Sequence, residues 1–121
     1  MPEVTLRYYL SDRLTTAVVG EIAQGLPAMI ASRLHVEEEE EAHLTAANIE
    51  VFTLEGNRSL DVLPFPMDFA VRIEAMHFEQ RAAKVQKVSD DLKKELQIRY
   101  PELRFNVWIP LVVAAGYSET G

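Results

Sequence analysis

The stretch that decides the fold opens the chain and reads Met1-Pro2-Glu3-Val4-Thr5-Leu6-Arg7-Tyr8-Tyr9. Apolar and polar side chains alternate along it, which is typical of a β-strand with one buried face. The pattern returns at Asp68-Phe69-Ala70-Val71-Arg72-Ile73-Glu74, where an arginine again lies among the polar positions. Because a helical pattern and then another strand follow each copy, the sequence predicts two βαβ units in tandem.

The length of 121 residues predicts one domain over residues 1–121, with repeat one at about 1–56 and repeat two at about 67–115. Hydrophobic residues make up 48% of the chain and charged residues 26%, which is ordinary for a globular protein. Cysteine is absent, so disulfides, zinc-thiolate sites and thiol catalysis are excluded.

The net charge and the hydropathy of the chain limit the classes of partner that it can bind. The net charge is −7, of which the run from Glu37 to Glu41 contributes five, and no basic stripe is present, so we expect no nucleic-acid partner. No apolar run is long enough to span a bilayer, and charged residues interrupt any signal-peptide core near the N-terminus. We therefore expect a cytoplasmic protein with no membrane partner.

In the first unit we expect a helix capped by Ser11, with Asp12 in its first turn. Gly25 and Pro27 interrupt it, which predicts a kink near Gly25 or two helical pieces. The acidic segment 36–44 is predicted to be a solvated connection, with or without a helical turn, followed by strand two at residues 48–54. The apolar stripe of the helix comprises Val18, Ile22, Leu26, Met29, Ile30 and Leu34.

The second unit is predicted to contain a strand at residues 68–75, a helix at about 78–98 and a strand at 103–109. The apolar tail after residue 110 predicts an extra strand or a subunit contact. Both helices should cover one face of a four-stranded sheet. The other face mixes apolar and polar residues, and association into a closed oligomer would cover it: Thr5, Arg7, Tyr9, Phe52, Leu54, Ala70, Arg72 and Trp108.

Met-Pro followed by a strand, the two βαβ units, the proline-interrupted helix at Gly25-Leu26-Pro27 and a short C-terminal strand together resemble the tautomerase superfamily. This superfamily includes 4-oxalocrotonate tautomerase and macrophage migration inhibitory factor, and the chain is most similar in outline to 5-carboxymethyl-2-hydroxymuconate isomerase. The resemblance implies an α+β fold, a homotrimer, no cofactor and a small anionic keto/enol substrate. Two alternatives stay open: an inactive tautomerase-like oligomeric interaction protein, and an unrelated ferredoxin-like protein.

The resemblance also implies that Pro2 is the catalytic acid and base once Met1 is removed. A free amine in an apolar pocket favours its neutral, basic form, and Tyr8, Phe65, Met67 and Trp108 are candidate walls for that pocket. The alternative for Pro2 is a strand that simply begins with proline.

Arginine binds carboxylates through paired hydrogen bonds, so Arg13, Arg7 and Arg72, together with Trp108, are the candidate substrate-binding residues. For Arg7 and Arg72 the alternative is ion pairing with acidic neighbours inside an oligomer. His35, the run from Glu37 to Glu41 and His43 match no metal-ligand spacing, and we expect no metal there.

Overall fold

A computed structural model describes residues 2–114 and 116–121; Met1, whose removal the proposed chemistry requires, and Ala115 of the apolar tail lie outside the described residues. Its elements in chain order are strand β1 (Glu3–Tyr8), helix α1 (Thr16–Leu34), 3-10 turns Glu40–Ala42 and Ala46–Asn48, strands β2 (Glu50–Glu55) and β3 (Phe69–Met76), helix α2 (Glu79–Arg99), and strands β4 (Phe105–Trp108) and β5 (Leu111–Val112).

The strands form one mixed sheet in the order β2-β1-β3-β4, with β5 also paired to β3. β1 runs parallel to β2, and β3 runs parallel to β4. The two units meet through the antiparallel pair β1 and β3, in which Glu3 lies opposite Glu74. This topology confirms the tandem βαβ prediction and excludes the ferredoxin-like arrangement. It also brings the start of β1 to the end of β3.

Alternation along the central strands determines which face is buried. Val4, Leu6, Phe69, Val71 and Ile73 are buried, whereas their neighbours point away from the core. Both helices pack on that face through an apolar stripe each, comprising Ile22, Leu26 and Ile30 on α1 and Val88, Leu92 and Leu96 on α2. The described residues leave the other face of the sheet uncovered. Among the described residues, no helix combines the length and apolar character that crossing a bilayer requires.

Helix α1 begins four residues later than the sequence pattern predicted for a Ser11 cap. Its N-cap is Thr15, whose hydroxyl accepts a hydrogen bond from the Val18 backbone N–H. Ser11 instead closes a turn before the helix, because its hydroxyl accepts from the backbone N–H of Leu14. That turn buries the Leu14 side chain completely, which favours the turn over an earlier helix start. The helix then continues unbroken through Pro27, so the prediction of two pieces is wrong.

The connection after α1 is exposed from Glu37 to Glu41, as predicted, and it includes a 3-10 turn. It is nevertheless anchored at both ends, because Val36 and Ala42 are buried. In the tail, β5 pairs with β3 through Ala75↔Leu111 and Met76↔Val112, which confirms the predicted extra strand.

Tyr9, which the alternation places on the uncovered face, is only 1% exposed. The loop after β2 covers its ring, since Gly56, Arg58 and Asp61 lie against it. The Tyr9 hydroxyl donates to Asp61 Oδ2 at 2.6 Å. Burial and this carboxylate neighbour together raise the pKa of Tyr9 above its ordinary value.

Candidate functional site

Pro2 lies at the entrance to the central strand β1, and it is buried. Its carbonyl oxygen accepts a hydrogen bond from the Glu50 backbone N–H at 3.4 Å. Glu3 pairs with Glu50 of β2 and with Glu74 of β3. Pro2, one residue earlier, therefore lies between Ile49 and Ala75, which are both buried. The residue therefore has apolar neighbours on both sides along the sheet.

The end of the sheet that carries Pro2 is also where three chain segments meet around Arg81 of α2. The guanidinium donates to the backbone oxygens of Leu34 at 2.9 Å, Met76 at 2.8 Å and Ala42 at 3.2 Å. These oxygens belong to the last residues of α1, of β3 and of the 3-10 turn in the acidic connection. Arg81 is only 2% exposed, and burial lowers the pKa of its guanidinium. One turn further along α2, Lys84 Nζ donates to the His35 carbonyl oxygen at 2.6 Å.

The structure places Arg13 at the opposite end of β1 from Pro2. Six strand residues at about 3.3 Å each separate the two ends by about 20 Å. Arg13 there forms an ion pair with Asp68 at 3.2 Å, and Asp68 is fully buried. Arg13 therefore cannot contact a substrate bound at Pro2 of its own chain.

Arg7, Arg72 and Trp108 lie together, but on the uncovered face of the sheet. With Thr5, Ala70, Val71 and Asn106 they line an open cavity of about 340 Å³. Arg72 forms an ion pair with Glu74 at 3.1 Å. Pro2 shares the strand alternation of Val4 and Leu6, which face the helices, so these three residues and Pro2 occupy opposite faces.

The apolar residues expected around Pro2 also lie elsewhere. Tyr8 ends β1, and Met67 directly precedes Asp68 at the same distal end. Phe65 lies under the guanidinium of Arg104. Arg104 is at the distal end as well, because its backbone N–H donates to Asp68. The walls beside Pro2 come instead from β2 and β3.

His35, Glu37 and His43 form a compact cluster whose potential ligand atoms lie within 4.8 Å of one another. His35 Nε2 lies 2.7 Å from Glu37 Oε2, and its Nδ1 accepts the Leu44 backbone N–H at 2.9 Å. Because Nδ1 is the acceptor, Nε2 carries the proton and has no lone pair for a metal. The cluster is thus an internal hydrogen-bond network. Its main effect is that the hydrogen bond with His35 lowers the pKa of Glu37.

Sequence reasoning missed Arg81 and Lys84 as cations at the Pro2 end. A signal for both was available. The first strands of the two βαβ units pair antiparallel, so the end of β3 lies beside the start of β1, and the predicted order of elements already places the first turns of α2 directly after β3.

The sequence matches no protein-family model and no curated protein. Solved structures do match. A macrophage migration inhibitory factor-like protein from Entamoeba histolytica is 13% identical, with a TM-score of 0.61 over 98% of this chain and 96% of that one. A 5-carboxymethyl-2-hydroxymuconate delta-isomerase is 11% identical, with a TM-score of 0.63 over 100% and 89%.

A fused 4-OT described as a symmetric trimer is 8% identical, with a TM-score of 0.62 over 91% of this chain and 85% of that one. At these identities the likeness concerns the fold alone. The chain shares the α+β fold of these structures, with two helices on a mixed five-stranded sheet.

Proposed function

We propose that this protein is a cofactor-independent tautomerase or isomerase that moves a proton within a small unsaturated keto/enol acid. Pro2, freed by removal of Met1, is the general acid and base. The observation that carries the proposal is the burial of Pro2 at the start of the central strand, between apolar residues of β2 and β3. The fold shared with the isomerase and the migration inhibitory factor-like protein supports it.

The chemistry follows from the amine. While Met1 is attached, the Pro2 nitrogen is an amide and has no basic lone pair; after its removal, the nitrogen is a secondary amine. The neutral amine takes a proton from carbon or from the enol oxygen, and the resulting ammonium returns that proton at the other position. Burial disfavours the ammonium form, so the amine is held ready as a base near neutral pH.

An anionic substrate needs a cation or hydrogen-bond donors for its carboxylate and for the charge that develops on oxygen. Among the described residues, Arg81 and Lys84 are cations at the Pro2 end, and their hydrogen bonds there go to backbone oxygens. The proposed substrate contacts of Arg13, Arg7, Arg72 and Trp108 require a neighbouring copy, since Arg13 lies at the distal end and the other three lie on the uncovered face.

The proposed active form is a homotrimer, and the proposed location is the cytoplasm. A trimer is supported by the uncovered sheet face and by the symmetric trimer among the similar structures. In such an assembly the distal end of one copy can meet the Pro2 end of the next, which would bring Arg13 to a substrate.

The first experiment compares the wild-type protein with Pro2→Ala, after intact mass has shown that Met1 is absent from both. Turnover of phenylenolpyruvate and 2-hydroxymuconate is followed by absorbance. We expect Pro2→Ala to lower kcat/KM by about a hundredfold or more, the usual contribution of a positioned acid/base.

Pro101→Ala is the matched control, because Pro101 lies in an exposed turn after α2. Its rates should equal those of the wild type. Equal rates for Pro2→Ala and the wild type would remove Pro2 from the mechanism.

A second candidate is an inactive tautomerase-like protein that serves as an oligomeric interaction module. It is favoured by one observation: three cavities on the surface of the described residues, at Gly56, at Trp108 and at His35, are lined by residues other than Pro2. A Met1-free protein that is trimeric and turns over neither substrate would support this candidate over the enzyme.

A further inference from the structure

Arg81 carries a buried positive charge for which the described residues offer no carboxylate partner. Asp68 and Arg81 are the buried charged side chains among them, and Asp68 is paired with Arg13. Every hydrogen bond of Arg81 instead goes to a backbone oxygen, and its guanidinium lies 5.2 Å above the Phe78 ring. Burying a charge in this way costs free energy of folding, because backbone oxygens only partly replace the water that the guanidinium has lost.

The three backbone oxygens that bind Arg81 place its side chain at the same end of the sheet as Pro2. Met76 ends β3, and Ala75 just before it is the residue that falls opposite Pro2. Leu34 ends α1, where the partial negative charge of the helix C-terminus favours a cation. Arg81 reaches these groups from α2, which packs on the same face as the Val4 and Leu6 side chains. Pro2 and the guanidinium thus share one end and one face of the sheet.

We propose that Arg81 is a positioning residue for Pro2. Its side chain fixes the end of β3 against the end of α1 beside Pro2, and its buried charge disfavours protonation of the Pro2 amine. A like charge in a poorly solvated region acts over longer distances than an exposed one, since water screens it less. The inference rests on the proposed function only in that it concerns the Met1-free chain.

Other charged groups at this end act on the same amine, and they are exposed or half-exposed: Glu3, Glu50 and Glu74 on the strands, His35, Glu37 and His43 after α1, and His77, Glu79 and Lys84 at the start of α2. The three strand carboxylates favour the ammonium form, whereas Lys84 opposes it. All of them are unchanged by a substitution at Arg81. A shift measured on substitution therefore isolates the contribution of Arg81.

The experiment measures the titration of the Pro2 amine directly, by ¹⁵N NMR on Met1-free protein labelled at proline. The reference is the peptide Pro-Glu-Val-Thr. We expect the wild-type amine to titrate at lower pH than the peptide. We expect Arg81→Met to raise its titration midpoint by about 0.5 to 1 pH unit, the size of a partly screened charge interaction.

Two variants separate charge from packing. Arg81→Lys keeps the charge and should keep the wild-type midpoint, although its single ammonium cannot bind all three oxygens. Arg99→Met, the same change at an exposed position of α2 that pairs with Glu95, should leave the midpoint unchanged. A purely structural Arg81 would lower Tm in both Arg81 variants without moving the midpoint, and that result would overturn the inference.

The outcome does not depend on turnover. If Arg81→Met does not fold, Arg81→Gln, which removes the charge but keeps hydrogen-bond donors, replaces it in the same measurement, and a wild-type amine that titrates at or above the peptide value contradicts the proposal. A midpoint that rises on substitution of Arg81, in a protein without tautomerase activity, would support the role of Arg81 and refute the proposed function. In an active protein, the acid limb of the kcat/KM profile should move with the NMR midpoint.

Discussion

At the scale of single residues, Gly56 shows how closely the distal end of the sheet is packed. It follows β2, and its backbone N–H donates to the Tyr8 carbonyl oxygen at 2.8 Å. A Cβ atom built on Gly56 would lie 2.6 Å from Cζ of the Tyr9 ring, which is too close for any side chain. Tyr9 cannot move aside easily, because it is buried and bound to Asp61.

We therefore predict that Gly56→Ala destabilises the protein by about 1 to 3 kcal/mol, the usual cost of overpacking a well-packed site. Urea unfolding measures it. The matched control is Gly20→Ala in α1, where an added Cβ meets nothing within 4 Å. That variant should gain about 0.5 to 1 kcal/mol, because alanine is the better helix former. Equal stability for the two variants would contradict this account of Gly56.

Single residues are also where sequence reasoning failed most clearly. The position of Tyr9 depends on Asp61, which is 52 residues away in the chain, and the burial of Arg81 depends on oxygens up to 47 residues away. Alternation and helical spacing report only on neighbours within a strand or a helix. Arg13 illustrates the same limit, because its ion pair with Asp68 spans 55 residues.

At the scale of elements, helix α1 is continuous although Pro27 lies inside it. Proline has no N–H, so the carbonyl oxygen of Ala23 lacks its usual helix partner. Packing explains why the helix survives: Leu26, Met29 and Ile30, on either side of the proline, are buried in the core. The apolar stripe was evident from the sequence, but its strength relative to the proline defect was not. The sequence therefore predicted a kink near Gly25 or two helical pieces, and the structure has one continuous helix.

Pro27→Ala should stabilise the protein by about 1 to 2 kcal/mol, since the regained hydrogen bond outweighs the greater freedom of the unfolded chain. Thermal unfolding followed by circular dichroism checks the change in Tm. Pro101→Ala is the control, because it lies outside the helices and should lose up to about 1 kcal/mol. A lower Tm for Pro27→Ala would mean that the proline contributes packing that alanine cannot replace.

At the scale of the whole molecule, the sheet topology was predictable, since both repeats carry the same alternation and parallel strands require a crossover helix. The proposed substrate site was not predictable, because the sequence pattern alone did not indicate that Arg81 and Lys84 lie at the same end of the sheet as Pro2. The sequence also predicted a second sheet face that the helices do not cover. This face exposes Phe52 by 50%, Leu54 by 46% and Trp108 by 60%. Water-exposed apolar area of this kind favours association.

The last prediction concerns this face. In analytical ultracentrifugation the wild-type protein should sediment as a trimer at micromolar concentration, and Trp108→Glu should weaken the assembly at least tenfold, because it places a carboxylate among apolar contacts. Ile98→Glu is the matched control: Ile98 is 81% exposed on α2, on the side of the molecule away from the sheet face, and its substitution should leave the trimer intact. A wild-type monomer, or equal effects of the two substitutions, would show that the uncovered face is not where the copies meet. Arg13 of one copy would then have no route to Pro2 of another by way of that face.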